Sequence, residues 1–474
     1  MTSGPMERSA ASAGGQVGIS FAGAPYLDVA REAAALVFGP VRERRHAVRY
    51  WTGTVEPAGA APLSRGAEPP FTLVLTSAGA LRRMFLPPTE LTLAEAFIRG
   101  DLDIDGDVEA ASHLAWEIAE RLRSPGRLVR LVTLLFQLPR VAERAAPSGD
   151  LRSGGARAAD RLGGRRHSRA RDAAAIRRHY DVGNDFYALW LDEERVYSCG
   201  YFPDGIDDIH AAQRAKLDLI CRKLRLAAGE RLLDIGCGWG GLIRHAVRHY
   251  GVRALGITLS PAQADYARDR AEAEGLAERC LVEVRDYRDL ADERTFDKVV
   301  SVGMFEHVGR SRLATYFHAA LQRTRPGGLF LNHGIVNLAE ARAPDTGERA
   351  RRLWRRGTFI DRYVFPDGEL VPLATALAAA EGAGFETRDV ESLREHYVLT
   401  LRHWLRRLEA SHAEAARLAG ERVYRIWRLY LGASAHAFDT GQIGVAQMLL
   451  ARPDGAGRCR IPRTRRDVYA DVAT

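Results

Sequence analysis

Leu232-Leu233-Asp234-Ile235-Gly236-Cys237-Gly238-Trp239-Gly240-Gly241 is the stretch that decides how this chain folds. An apolar run ends in a glycine-rich turn, and helical periodicity begins near Leu242. Glycines let the backbone take positive φ and come close to a ligand, and a helix N-terminus offers free N–H groups. The spacing satisfies GxGxG at 236, 238 and 240, and also GxGxxG at 236, 238 and 241. The glycines alone therefore do not name the ligand.

The position of the acid discriminates. A dinucleotide site wants a carboxylate about 20 residues further on, at the end of the second strand, to hold a ribose. No Asp or Glu lies between Leu242 and Ala264, where that strand ends Gly256-Ile257-Thr258. The acid precedes the glycines instead, as Asp234 inside the strand, the arrangement usual for S-adenosylmethionine sites.

Working outward, strands are expected at Arg231–Ile235, Arg253–Thr258, Leu281–Arg285, Lys298–Val302 and Leu329–Val336, with amphipathic helices between them. That alternation predicts a parallel, doubly wound α/β sheet from about residue 173 to 474. Upstream, Phe71–Leu75 reads as a strand, and Val108–Leu122 and Leu128–Leu138 read as helices. They form a smaller α+β unit over residues 26–145. Residues 1–25 are small, Gly/Ala/Ser-rich and expected to be disordered. Arg152 to Arg178 holds nine arginines and two aspartates, a composition that builds no core, so 146–172 is read as a linker.

Composition narrows the class. The 474 residues call for two or three domains, and 46% hydrophobic with 27% charged content is ordinary for a globular protein. The five scattered cysteines lack CxxC spacing and imply neither a disulfide framework nor a metal site. Met1–Gln16 shows no secretory pattern, and no apolar run reaches spanning length, so a cytoplasmic protein meeting membranes only from the surface is expected. The net charge of +8 suits an anionic partner, lipid or nucleic acid.

Further motifs carry a resemblance. His179-Tyr180-Asp181-Val182-Gly183-Asn184-Asp185-Phe186-Tyr187, Tyr197-Ser198-Cys199-Gly200-Tyr201-Phe202, the glycine loop, Gly256–Ser260, Val300–Gly309 and Tyr363–Gly368 together resemble the cyclopropane-fatty-acyl-phospholipid synthases. These enzymes are related to the mycolic acid cyclopropane synthases. Leu93–Leu102 is similar, more loosely, to the N-terminal domain of the phospholipid-acting enzymes, with Ala94 where a glycine is common.

The resemblance implies a class I S-adenosylmethionine-dependent methyltransferase with a Rossmann-like catalytic domain. It places Tyr197 and Ser198 at the cofactor's amino-acid end, and Asp234, Gly236, Cys237, Gly238 and Gly240 beneath it. Thr258, Leu259 and Gln263 line the ribose, and Tyr287 and Arg288 flank adenine, where relatives often carry Trp-Glu. It implies bicarbonate as the base, held by Glu306, His333, Tyr397 and the backbones of Cys199 and Ile335. The late cysteine of some relatives is Ser434 here, which removes a thiol mechanism at that position. The implied partners are a phospholipid with a cis-unsaturated chain, the inner face of the bilayer, and a second copy in a homodimer.

Three other readings have residue signatures of their own; one, a non-catalytic lipid-binding protein with a vestigial site, is opposed by the retention of Asp234, Glu306, His333 and Tyr397. Proton loss from a neighbouring chain carbon, or from the methyl without closure, gives a methylene- or methyl-branched chain instead of a ring. Nucleic-acid methylation would need an Asp/Asn-Pro-Pro-Tyr/Phe motif after the fourth strand, where Gly303-Met304-Phe305-Glu306 stands, so no nucleic-acid partner is expected.

Overall fold

The computed structural model describes residues 25–59, 69–140, 165–180, 182–290, 295–342, 359–459 and 461–469. The N-terminal stretch expected to be disordered and most of the Arg/Gly-rich linker lie outside them.

The N-terminal half opens with helix α1 (Leu27–Phe38) and strands β1 (Ala47–Arg49), β2 (Val55–Glu56) and β3 (Phe71–Leu75). Helix α2 (Glu90–Arg99) starts at a capping box, in which the Thr89 hydroxyl takes the Thr92 N–H. It leads into β4 (Leu102–Gly106). The four strands form one sheet in the order β2-β1-β3-β4. The segment expected as one helix over Val108–Leu122 is two, α3 (Val108–Ser112) and α4 (Leu114–Arg121), followed by α5 (Pro125–Gln137).

Helix α6 (Arg169–Tyr180) begins inside the stretch assigned to the linker. Its arginines are used: Arg171 pairs with Asp367 and Arg169 with Asp289, which ties the helix to the C-terminal half. Helix α7 (Ile209–Leu224) then precedes the alternating segment. That segment runs β5 (Arg231–Ile235), α8 (Gly241–Tyr250), β6 (Arg253–Thr258), α9 (Pro261–Ala273), β7 (Cys280–Val284), β8 (Phe296–Val302) and β9 (Thr324–Asn337). Further along come β10 (Glu386–Ser392), α10 (Arg394–Ala410), α11 (Glu421–Asp439) and β11 (Ile443–Ala451).

The seven strands order as β10-β11-β9-β8-β5-β6-β7. Strands β5 to β9 pair in parallel, as the alternation predicts. Strand β11 runs antiparallel to both β9 and β10, so the sheet is mixed rather than wholly parallel. The middle strands are buried along nearly their whole length because helices cover both faces, which is why they read as apolar runs. This is the Rossmann-like class I methyltransferase architecture.

One apolar cluster joins the two halves, from Ala30 and Phe97 to Trp404 and Trp427. Its seam is close: a Cβ on Gly432 would sit 2.7 Å from Val108 Cγ1. Around it, α11 arginines reach carbonyls of α2 and the small sheet, Arg425 to Phe97 and Leu102, Arg428 to Ile104 and Gly106.

Candidate active site

Ligands of open α/β folds bind beyond the carboxyl ends of the strands. Here a cleft of about 1180 Å³, open solvent included, lies at the ends of β5, β6 and β8. Its floor is Asp234, Gly236, Cys237 and Gly238, and one wall is Tyr197 and Ser198. Thr258, Leu259 and Gln263 form a second wall, with Tyr287 and Arg288 at its rim. Gly240 alone of the expected cofactor residues is not in the lining. It caps α8 at φ +79, and a Cβ there would meet Ala267 Cβ at 2.9 Å, so it shapes the turn.

The floor carries buried ionisable groups. Asp234 is buried, its Oδ1 has no partner, and burial pushes its carboxyl up to about 7 against the pull of Lys216. Lys216, projecting from α7, is equally buried and donates to Ser198 Oγ at 2.9 Å. Burial brings its ammonium down to about 8. In sequence Lys216 is one more basic residue of an amphipathic helix, and only its burial singles it out.

At the wall, the Thr258 hydroxyl donates to Gln263 Oε1 at 2.9 Å, which fixes the side chain after the Ser260 cap of α9. The Arg288 guanidinium is taken up by Asp286 at 2.6 Å and by Asp172 of α6 at 3.1 Å, so it fastens that helix over the cleft. Tyr287 meets Tyr316 edge-on at 5.5 Å.

Of the second expected group, Glu306, Ile335, Tyr397 and Cys199 come together beyond β8, outside the lining of the cofactor cleft, while His333 packs against Gln447. Glu306 Oε1 accepts the Ile335 N–H at 2.7 Å, while Oε2 is buried without a partner. Burial pushes this carboxyl up to about 7, opposed by the Ile335 bond. Tyr397 is buried against Phe438 and Trp404, and Glu306, Cys199 and Tyr430 all raise its phenol further. The Cys199 thiol is buried against the Gly200 and Leu393 carbonyls and pushed far up by desolvation, so it carries no thiolate. His333 faces its register partner Gln447, with Nδ1 3.3 Å from Nε2 of the amide and its own Nε2 unpartnered. Burial holds the imidazole down at about 3, hence neutral. Ile335, whose backbone is expected to hold the anion, gives its N–H to Glu306.

The profile described as Mycolic acid cyclopropane synthetase matches residues 167–448. The chain belongs to this family. A Pseudomonas putida protein named probable fatty acid methyltransferase is 41% identical over 404 residues, 85% of this chain and 93% of its own. The Escherichia coli K12 cyclopropane-fatty-acyl-phospholipid synthase is 39% identical over 58% of this chain and 66% of its own. Among solved structures, the Mycobacterium tuberculosis cyclopropane synthase MmaA2 superposes with TM-score 0.55 at 33% identity, covering 60% of this chain and 99% of that one.

As a member of this family the protein is an S-adenosylmethionine-dependent methyltransferase, and its cleft fits the cofactor. Asp234 Oδ1 offers a buried acceptor to hydroxyl or ammonium donors. Gly236 stands at φ +92, and a Cβ there would fall 2.9 Å from Met304 Cβ, so glycine keeps that approach clear.

Sequence reasoning also missed the aromatic wall between cleft and core. Tyr197 is stacked on His179 at 5.7 Å and ringed by Tyr187, Trp190, Trp404 and Trp427. Its hydroxyl lies 3.5 Å from that of Tyr430. The His179–Tyr187 motif was the available signal.

Proposed function

We propose that the protein adds a methylene group from S-adenosylmethionine across a cis double bond of a membrane phospholipid's acyl chain, forming a cyclopropane ring. The observation that carries this reading is Glu306: a buried carboxylate pinned by one oxygen, with the other free, beside buried phenols and no thiolate. When bound, S-adenosylmethionine supplies an electrophilic methyl on a sulfonium. An alkene is a weak nucleophile, so the apolar walls position it and exclude water.

Positive charge then develops on the acyl chain. The faces of Tyr197 and Tyr430 and the Glu306 carboxylate stabilise it without reorganising. Bicarbonate would be held by the free Glu306 Oε2, His333 Nε2 and the Tyr397 hydroxyl, and would supply the base for ring closure. His333, held down at about 3, is too weak a base for this step, and Cys199 carries no thiolate.

The small N-terminal sheet and its helices are read as the lipid-binding part, and the chain as a homodimer working on the inner face of the membrane. A second reading, a methyl- or methylene-branched product, is favoured by the name of the Pseudomonas putida relative. The test is incubation with cofactor and cis-unsaturated phospholipid vesicles, followed by mass spectrometry and NMR of the released chains. A CH₂ gain with cyclopropyl proton signals supports the ring. A CH₂ gain with vinylidene signals, or with olefinic signals beside a branch methyl, supports the second reading.

A further inference from the structure

Beside the cofactor cleft lies a second hollow, about 690 Å³ with its open face, lined among others by Leu191, Asp192, His210, Tyr266 and Arg407. Arg195 stands in the wall common to both. Its guanidinium lies 4.0 Å over the Tyr266 ring, its Nη1 is buried, and it makes no hydrogen bond or ion pair with another described residue. Most arginines of the C-terminal half have carboxylate partners, so a partly buried guanidinium without one calls for an explanation.

Arg407 has no carboxylate within ion-pair distance among the described residues either. Its Nε and Nη2 donate to the Trp190 and Leu191 carbonyls at 3.1 and 3.0 Å, which aims Nη1 at His210 Nε2, 3.2 Å away. His210 Nδ1 in turn faces the Glu193 N–H at 3.2 Å. A neutral imidazole accepts at only one nitrogen. Either tautomer therefore leaves two donors facing each other, and protonation makes both contacts donor against donor. An oxyanion beside Nη1 and Nε2–H resolves the conflict.

The acids nearby do not supply that charge. Asp192 spends its oxygens on the Val196 and Glu194 N–H groups, Glu193 pairs with Arg214, and Glu274 with Arg270. We propose that this hollow binds a phosphate group through Arg195, Arg407 and His210. Donors from three separate segments lining one hollow suit a tetrahedral oxyanion better than a flat carboxylate, which one guanidinium fork satisfies. A phospholipid's phosphodiester and free inorganic phosphate share this chemistry. The lipid source rests on the function proposed above.

The test uses the full chain. Inorganic phosphate is titrated by calorimetry into the native protein and into Arg195→Gln and Arg407→Gln, with S-adenosylhomocysteine affinity of the Arg407 variant reporting on its fold. Saturable binding weakened about tenfold or more in both variants is expected for a lost charge-assisted contact. A second arm compares phosphatidylglycerol with diacylglycerol carrying the same cis-unsaturated chains in the same neutral micelles. A KM raised in the variants for the phospholipid alone identifies the headgroup as the ligand. Lost phosphate binding with an unchanged phospholipid preference identifies free phosphate. No phosphate binding by the native protein, together with an unchanged lipid preference in both variants, overturns the proposal. If neither lipid is modified by the native enzyme, the function proposed above fails, while the phosphate titration still judges the site.

Discussion

Glu306 Oε1 takes the Ile335 N–H at 2.7 Å, just past the point where Val302, the last residue of β8, pairs with His333. The preceding rung is still backbone to backbone, Gly303 N–H to the His333 carbonyl at 2.9 Å. The carboxylate thus stands in for a missing strand, and its second oxygen is aimed by the sheet itself. Glu306→Gln keeps an oxygen for Ile335 and removes the charge. Turnover should fall on the order of a hundredfold, the usual loss for one preorganised electrostatic group, with S-adenosylhomocysteine affinity nearly unchanged by calorimetry. Depleting carbon dioxide should slow the native enzyme reversibly. Full activity in both Glu306→Gln and His333→Ala would sink the assignment.

The same carboxyl sets a pH dependence. Burial raises Glu306 to about 7 from an ordinary value near 4.5, so it is protonated below that pH and ionised above. The ionised form is the working one, so kcat/KM, which reports the free enzyme, should rise with pH through about 7. Stability runs the other way. A raised carboxyl pKa favours the folded state most below about 4.5, and that contribution fades as pH climbs through 7. Chemical denaturation at pH 5 and 8 should show the Glu306→Gln variant less pH-sensitive than the native chain.

Gly236→Val should abolish cofactor binding. The position holds φ +92, which a β-branched residue resists, and its Cβ would press on Met304. Calorimetry on the folded variant checks this, and native-like S-adenosylmethionine affinity would refute it.

Legibility in the sequence followed local contrast. Strands β5 and β6 match their expected bounds to the residue because each is a short apolar run between charged or glycine-rich flanks. Strand β10 was invisible: Glu-Thr-Arg-Asp-Val-Glu-Ser lacks apolar alternation, and its buried Asp389 is made tolerable only by Lys223 and Arg465 from distant segments. The cofactor loop was legible for the same reason as β5. Arg288 was not, because nothing near it in sequence says that its partner is Asp172, 116 residues earlier. His210 and Arg407 lie 197 residues apart, and their opposed donors exist only once the helices are assembled.

Lys216 gives a prediction that the sequence could not. Its buried ammonium is the counter-charge that opposes the upward shift of Asp234. Lys216→Met should destabilise the ligand-free protein by about 3 kcal/mol, as expected when one charge of a buried set is left uncompensated. Adding Asp234→Asn should recover part of that loss, since the orphaned charge is then gone. Urea denaturation of the two single variants and the double variant measures the coupling. Strict additivity would show that the two groups do not communicate.

Helix α5 turns Leu131, Leu134 and Leu135 into the core, yet Val129 and Phe136 stand 67% and 62% exposed on its other side. No helix among the described residues is long and apolar enough to cross a bilayer. Two large apolar side chains seven residues apart share one face, and exposed Arg127 and Arg130 flank them. That combination is the form of an interfacial anchor for anionic lipid. Burying each side chain is worth about 1.5 kcal/mol or more, so the Val129→Glu, Phe136→Glu double variant should float with anionic vesicles at least about a hundredfold more weakly. Salt should weaken native binding as well, because the arginines contribute through screened attraction. Undiminished flotation of the double variant would remove this face from the contact, and equal binding to neutral and anionic vesicles would remove the arginines.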